Sequence, residues 1–169
     1  KYLIMGTIGA TFILIAVGLM YMMTGTLNMA DLALRIKTVE DTRTILMAFA
    51  FLSIGIMLKI ALFPMHAWLP NAYSYAPSLV TAFIAATSTK VSLYVFLRFV
   101  FTIFGAEYAF ETLRFNDVLL PLAILGIVVA STVAIYQTDL KRLLAYSSVA
   151  QIGYIVLGIS MGTVTGLTA

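Results

Sequence analysis

The chain has 169 residues, is 62% hydrophobic and only 10% charged, and has a mean hydropathy of +1.06, far from the roughly 45–50% apolar and ~25% charged make-up of soluble domains. This excludes a soluble globular domain and defines an integral membrane protein; the net charge of +3 is scattered singly along apolar segments and their ends, leaving no electrostatic footprint for nucleic acid. Cysteine is absent, so disulfides, thiolate metal sites, iron–sulfur clusters and cysteine nucleophiles are excluded.

A helix rising ~1.5 Å per residue needs about 20 apolar residues to cross ~30 Å of hydrocarbon, and the chain offers five such runs. The first, 2–24, exceeds the ~7–15 residues of a signal-peptide core and lacks a small-residue cleavage site, so it reads as a spanning helix. The segment TGTLNMADLALRIKTVEDTR then gathers six of the seventeen charged residues. Asn28 can cap a helix there, with Asp31 placed as in a capping box, while Met29, Leu32, Ala33 and Ile36 share one apolar face. A short amphipathic helix at the membrane surface is expected.

The second span is expected over 44–63, capped by Asp41 or Thr42, and runs directly into Pro64. Proline donates no backbone hydrogen bond and its ring clashes with the carbonyl of Ile60, four residues back, so the helix must stop or break there. A short half-helix continues to about residue 75, with Pro70 as a second stop. The stretch MHAWLPNAYSYA is too apolar for a solvated loop. Irregular backbone at membrane depth requires protein or a water-filled cavity around it.

The third span, 78–104, opens after Pro77 and contains Lys90 and Arg98. A polar connector, GAEYAFETLRFND, leads to a fourth span over 118–136, capped by Asn116 or Asp117. The short turn QTDLKR makes the fourth and fifth spans antiparallel neighbours. Asp139 can cap the fifth, 143–165, which carries Ser147, Ser148, Gln151 and Tyr154, and whose glycines at 158, 162 and 166 predict close helix packing. The expected fold is an all-α integral membrane bundle of five transmembrane helices, with a short amphipathic surface helix and a discontinuous helix broken near Pro64. It reads as one partial membrane domain, 1–169, a fragment of a longer subunit. Basic residues fall on both sides, so no orientation is assigned.

The chemistry concentrates between Lys59 and Lys90, which bracket thirty residues without another charge. An ammonium in hydrocarbon is costly unless it has a partner or a task. No carboxylate occurs between Asp41 and Glu107, so any partners of these lysines come from other helices, from carbonyls at helix breaks or from water. Desolvation lowers a lysine pKa and a nearby carboxylate raises it; a lysine held between the two can take up and release a proton. Lys59 lies five residues before Pro64, about 7.5 Å along a helix, and either snorkels to the surface or acts in the interior. Lys90 stands near mid-span, where snorkelling is hard, with Thr87 and Tyr94 on its face.

Arg98 sits nearer a helix end and suits a structural or snorkelling role as well as a functional one, as a polar support for the lysines. His66, after the break, could pass protons at neutral pH or rest at an interface beside Trp68. Ser148 and Gln151 either bond between helices or line a polar channel. With no phosphate loop, no clustered metal ligands and no Ser/His/Asp set, the chain is not expected to be an enzyme by itself or to hold a cofactor or metal.

At these residues the chain resembles a known family. LKIALFPMHAWLPNAYSYAP followed by TKVSLYVFLRF is similar to the core signature of proton-translocating, antiporter-like membrane subunits, shared by complex I, related hydrogenases and Mrp-type Na⁺/H⁺ antiporters; YMMTGTLNMADLA and YQTDLKRLLAYSSVAQIGY match family blocks in the same order. The resemblance implies that Lys59 is the lysine of the discontinuous helix, FPMHAWLP the break beside it, Lys90 the connecting lysine and His66 a histidine common near the break. It also implies a glutamate on a preceding helix, which must lie among helices of the same subunit outside this chain.

The phrases NAYSYAP and ATSTKVSLYVFLRF resemble the D-type subunit of Mrp antiporters most, which implies cation/proton exchange without redox chemistry. The alternative is an antiporter-like subunit of complex I or a membrane hydrogenase, driven by redox chemistry in a neighbouring subunit. A third reading is a non-transporting scaffold whose lysines only snorkel. The implied partners are the lipid bilayer, other subunits of a membrane complex, protons and Na⁺. The implied location is a bacterial or archaeal cytoplasmic membrane, crossed several times.

Overall fold

The computed structural model describes residues 2–39 and 42–168; Asp41, one of the caps expected for the second span, lies outside them. Among the described residues the regular elements are all helices: α1 (Tyr2–Thr24), α2 (Met29–Arg35), α3 (Thr42–Ile60), α4 (Leu69–Tyr75), α5 (Ser78–Leu97), α6 (Asn116–Ile135), α7 (Leu140–Ser160) and α8 (Val164–Thr168). Five stretches are long and apolar enough to cross a membrane: Tyr2–Thr24, Arg43–Tyr75 counted through the break, Ser78–Gly105, Asn116–Ile135 and Leu140–Ser160. The protein is an all-α, multi-pass membrane bundle.

The surface helix forms where the sequence places it. The Asn28 side chain accepts from the Ala30 N–H at 3.0 Å, satisfying one of the donors that a helix start leaves free. Leu32 and Ile36 are buried beneath it. Asp31 takes a hydrogen bond from Arg35 Nε at 2.9 Å, and Arg35 Nη1 reaches the Thr24 carbonyl at 3.1 Å, tying α2 to the end of α1.

Helices pair through glycines other than those expected. On α1 and α3, a Cβ added at Gly55 would stand 2.8 Å from the Gly9 carbonyl oxygen, so the two backbones meet at a point that admits no side chain. Gly153 of α7 lies likewise against Ala123 and Ile127 of α6. The run of glycines from 158 to 166 does not form a continuous helix face. α7 ends at Ser160, Gly162 adopts φ +60, and the chain turns back so that Gly158 and Gly166 abut each other. The positive φ is open to glycine at no steric cost, which explains why the fifth span stops short of residue 165.

Two further boundaries differ from expectation. Beyond Leu97 the chain stays helical in wider π-type turns over Arg98–Gly105 and Glu107–Thr112, because Phe99, Val100, Ile103, Phe104 and Ala109 are buried and extend the packed face into the supposed connector. α6 starts at Asn116 after Phe115, without a side-chain cap. Asp117 instead pairs with Arg114 at 3.1 Å.

The apolar core falls into two clusters. One joins Met20 of α1, Ile45 through Ile60 of α3, Phe96 of α5, Leu119 and Ala123 of α6, and Ile152 and Val156 of α7. The other joins Ala61, Trp68, and Leu69 and Tyr73 of α4 to Ala130 of α6 and to Ala145, Val149 and Ala150 of α7. The changeover falls at one level along each helix: between Ala123 and Ala130, between Ala150 and Ile152, and at Ala61 beside the break. Lys59, Lys90 and Gln151 sit at that level, where each cluster ends.

Candidate functional site

The break is made by the end of α3 rather than by proline itself. Ala61 adopts φ +57, the Leu62 N–H bonds back to the Met57 carbonyl at 3.1 Å, and the Ala61 N–H bonds to that of Leu58 at 3.3 Å. This pair of bonds around a left-handed residue is the Schellman helix stop, here with alanine where glycine is usual. The helix therefore closes at Ile60, three residues short of the end expected at Phe63, and Pro64 lies beyond it. A 3-10 turn, Met65–Trp68, follows. Pro70, expected as a second stop, instead sits buried in the first turn of α4, where a missing N–H costs nothing.

Trp68 closes the break from the far side. Its indole N–H donates to the Leu58 carbonyl at 3.0 Å, so the residue next to Lys59 is held by a side chain ten positions on. The Trp68 ring also lies 5.4 Å from that of Tyr2. The sequence marks Trp68 as a packing or interfacial anchor; its donor gives no pattern in sequence.

Lys59 lines a cavity of about 190 Å³ together with Tyr2, Trp68, Ser88 and Ser92. That volume holds several waters, and its hydroxyls supply the partners that water needs. Ser88 and Ser92 are four apart on α5, linked by the Ser92 hydroxyl donating to the Ser88 carbonyl at 2.9 Å. Neither was singled out in the sequence, because an isolated serine in a spanning helix gives no distinguishing signal.

Lys90 lies between those serines in sequence but opens on another space. It lines a small cavity of about 30 Å³ with Thr89, Ser148 and Gln151, while its Nζ donates to the Ala85 carbonyl at 2.7 Å. The expected support from Thr87 and Tyr94 takes another form: the Thr87 hydroxyl is bonded to the Phe83 carbonyl at 2.8 Å, and Tyr94 is exposed. Ser148 Oγ likewise donates to its own helix, at the Leu144 carbonyl. Arg98 is exposed where the π-type winding begins. Both lysines are exposed on the surface of these helices.

His66 is half-buried between aromatic rings, stacked on Phe63 at 5.4 Å and edge-on to Tyr146 at 6.2 Å. Its Nδ1 is buried without a hydrogen-bond partner among the described residues. No three His, Asp or Glu side chains converge as a metal site among the described residues.

One more polar group meets the broken helix. In the α6–α7 turn Asp139 is expected to cap α7. The cap is present, the Lys141 N–H donating to Asp139 Oδ1 at 3.1 Å. The same carboxylate also accepts from the Ser74 hydroxyl at 2.6 Å, Lys141 Nζ donates to the Ala76 carbonyl at 2.9 Å, and Arg142 Nη2 to Asn71 Oδ1 at 3.2 Å. The Ser74 hydroxyl and then the Lys141 amide hold the Asp139 carboxyl below its usual range.

Fold and site together define a multi-pass membrane protein with a helix broken at mid-depth and lysines at the level of the break. A family model described as NADH:quinone oxidoreductase/Mrp antiporter, TM, matches residues 1–169, and the chain belongs to that family. It is 49% identical over 99% of its length to NADH-quinone oxidoreductase subunit N of Desulforudis audaxviator, of which it covers 33%. Among solved structures it is similar to a chain of the Mrp complex from Dietzia, with 28% identity, a TM-score of 0.84, and coverage of 98% of this chain and 30% of that one. It is similar also to a chain of respiratory complex I from Thermus thermophilus, with 29% identity, a TM-score of 0.75, and coverage of 99% and 34%. The chain thus spans about a third of the relatives it matches. Both solved neighbours are chains of multisubunit membrane complexes. The expectation that put the Mrp D-type subunit first is not the one favoured: the quinone-oxidoreductase relative stands at 49% and the Mrp chain at 28%.

Proposed function

We propose that the chain is the central part of a proton-translocating subunit in a redox-driven complex of the NADH:quinone oxidoreductase type, in a bacterial cytoplasmic membrane, and that protonation passes between Lys59 and Lys90. The observation that carries this reading is the 49% identity, over 99% of the chain, to subunit N of such a complex. The geometry agrees with it. Each lysine faces a space lined by hydroxyl or amide side chains, and His66 stands in the turn that follows the break.

Both lysines are exposed on these helices, and a cation facing hydrocarbon at mid-depth is costly. The remaining two thirds of the subunit therefore cover them, with a glutamate opposite Lys59. Lipid surrounds the outer faces, and other subunits supply the redox drive. The Mrp-type reading keeps one observation in its favour, the TM-score of 0.84 to the Dietzia chain; there Na⁺ exchange would replace redox drive.

The test is Lys59→Ala in the full-length complex, reconstituted in vesicles and assayed for proton uptake on adding NADH and quinone. Loss of uptake with normal assembly is expected; undiminished uptake overturns the relay. Uptake that needs a Na⁺ gradient and ignores NADH selects the Mrp reading.

A further inference from the structure

We infer that the α6–α7 turn is a clasp that positions the far arm of the discontinuous helix, with Asn71, Ser74, Asp139 and Arg142 as positioning residues for the relay; this rests on the function proposed above. The two arms are held by different parts of the molecule. α3 packs against α1 through the Gly9–Gly55 contact and belongs to the first apolar cluster, whereas α4 belongs to the second, with Ala145, Val149 and Ala150 in the first half of α7. Eight residues from Ala61 to Trp68 are all that join them covalently. A helix of two turns is not stable by itself, so its placement comes from what it touches.

The clasp supplies that placement at the membrane surface. Three side chains of one turn reach three successive points of the α4 segment: Arg142 to Asn71, Asp139 to Ser74, and Lys141 to the Ala76 carbonyl at the helix end. A lysine on the last carbonyls of a helix also suits its dipole. Since Asp139 and Lys141 begin α7, the clasp fixes α4 to the helix that carries Ser148 and Gln151 beside Lys90. The far arm is thereby tied to the helix that forms one wall of the Lys90 cavity, while Lys59 lies on the near arm.

The test uses the full-length complex. In Ser74→Ala the Asp139 cap on α7 is retained and only the clasp bond is lost. Amide hydrogen exchange over 69–75 is expected to quicken several-fold, and vesicle proton uptake to fall several-fold with normal assembly. The exchanged pair Ser74→Asp with Asp139→Ser restores both a cap and a hydroxyl–carboxylate bond, and is expected to recover both readouts. Unchanged exchange in Ser74→Ala overturns the clasp. Quickened exchange with full uptake overturns the positioning role. The exchange readout stands apart from the relay, whose failure Lys59→Ala reports.

Discussion

The indole N–H of Trp68 donates to the carbonyl of Leu58 at 3.0 Å, so the broken helix is closed by a side chain from beyond its own break. Leu58 is buried, and its carbonyl also accepts from the Ala61 N–H at 3.3 Å. Trp68→Phe keeps most of the ring and removes the donor. It is expected to destabilise the segment by about 1–2 kcal/mol, seen as faster amide exchange over 57–62 in the assembled complex.

Ala61 tests the helix stop. A non-glycine residue in the left-handed region is strained by roughly 1 kcal/mol, and glycine relieves that while adding freedom to the unfolded chain. Ala61→Gly is therefore expected to change the melting temperature little. Ala61→Val adds branching at a fully buried, left-handed position and is expected to destabilise by about 2 kcal/mol or more. Thermal melts of the detergent-solubilised subunit compare the two.

Gly55 tests the contact of α1 with α3. Its added Cβ meets Gly9 Oand Ile13 Cγ1, both at 2.8 Å, and the first of these is backbone that cannot swing aside. Gly55→Ala is expected to cost about 1–3 kcal/mol, whereas Gly18→Ala, with nothing within 4 Å, is expected to be neutral. The same melts check both.

Asp139 carries a pH dependence with a definite sign. Its carboxyl sits below the ordinary value of 3.8, chiefly through the Ser74 hydroxyl and then the Lys141 amide. The ionised form is therefore the one that the fold favours, and its contribution is complete above pH 3.8 and lost as pH falls through the lower native value. Amide exchange over 69–75 is expected to be flat from pH 7 to 5, after correction for intrinsic rates, and to quicken below 3.8. In Asp139→Asn the acid-induced step is expected to vanish.

Lys90 separates transport from scaffolding. Lys90→Met keeps the stem and removes the charge, and proton uptake is expected to fall at least tenfold with assembly intact. A lysine that only snorkels would leave uptake unchanged, the result that a scaffold requires.

The spanning helices were legible because hydropathy over about 20 residues is a long-range average that single residues barely disturb. The break was legible within three residues, since Pro64 forbids a continuing helix. Its true stop at Ala61 was not, because alanine carries no preference for the left-handed region. The lysines stand out as isolated charges. Ser88 and Ser92 become notable only once folding turns them toward Lys59, and Asn71 and Ser74 only once a turn some 65–71 residues away arrives beside them. Pairings between distant segments leave no periodic mark in one sequence.

The level of the break also sets an electrical position, because Lys59, Lys90 and Gln151 lie near the middle of their spans. Under the proposed relay, a proton moving from either surface to this layer crosses about half of the potential, or roughly 1.2 kcal/mol of the ~2.3 kcal/mol per 100 mV for a full crossing.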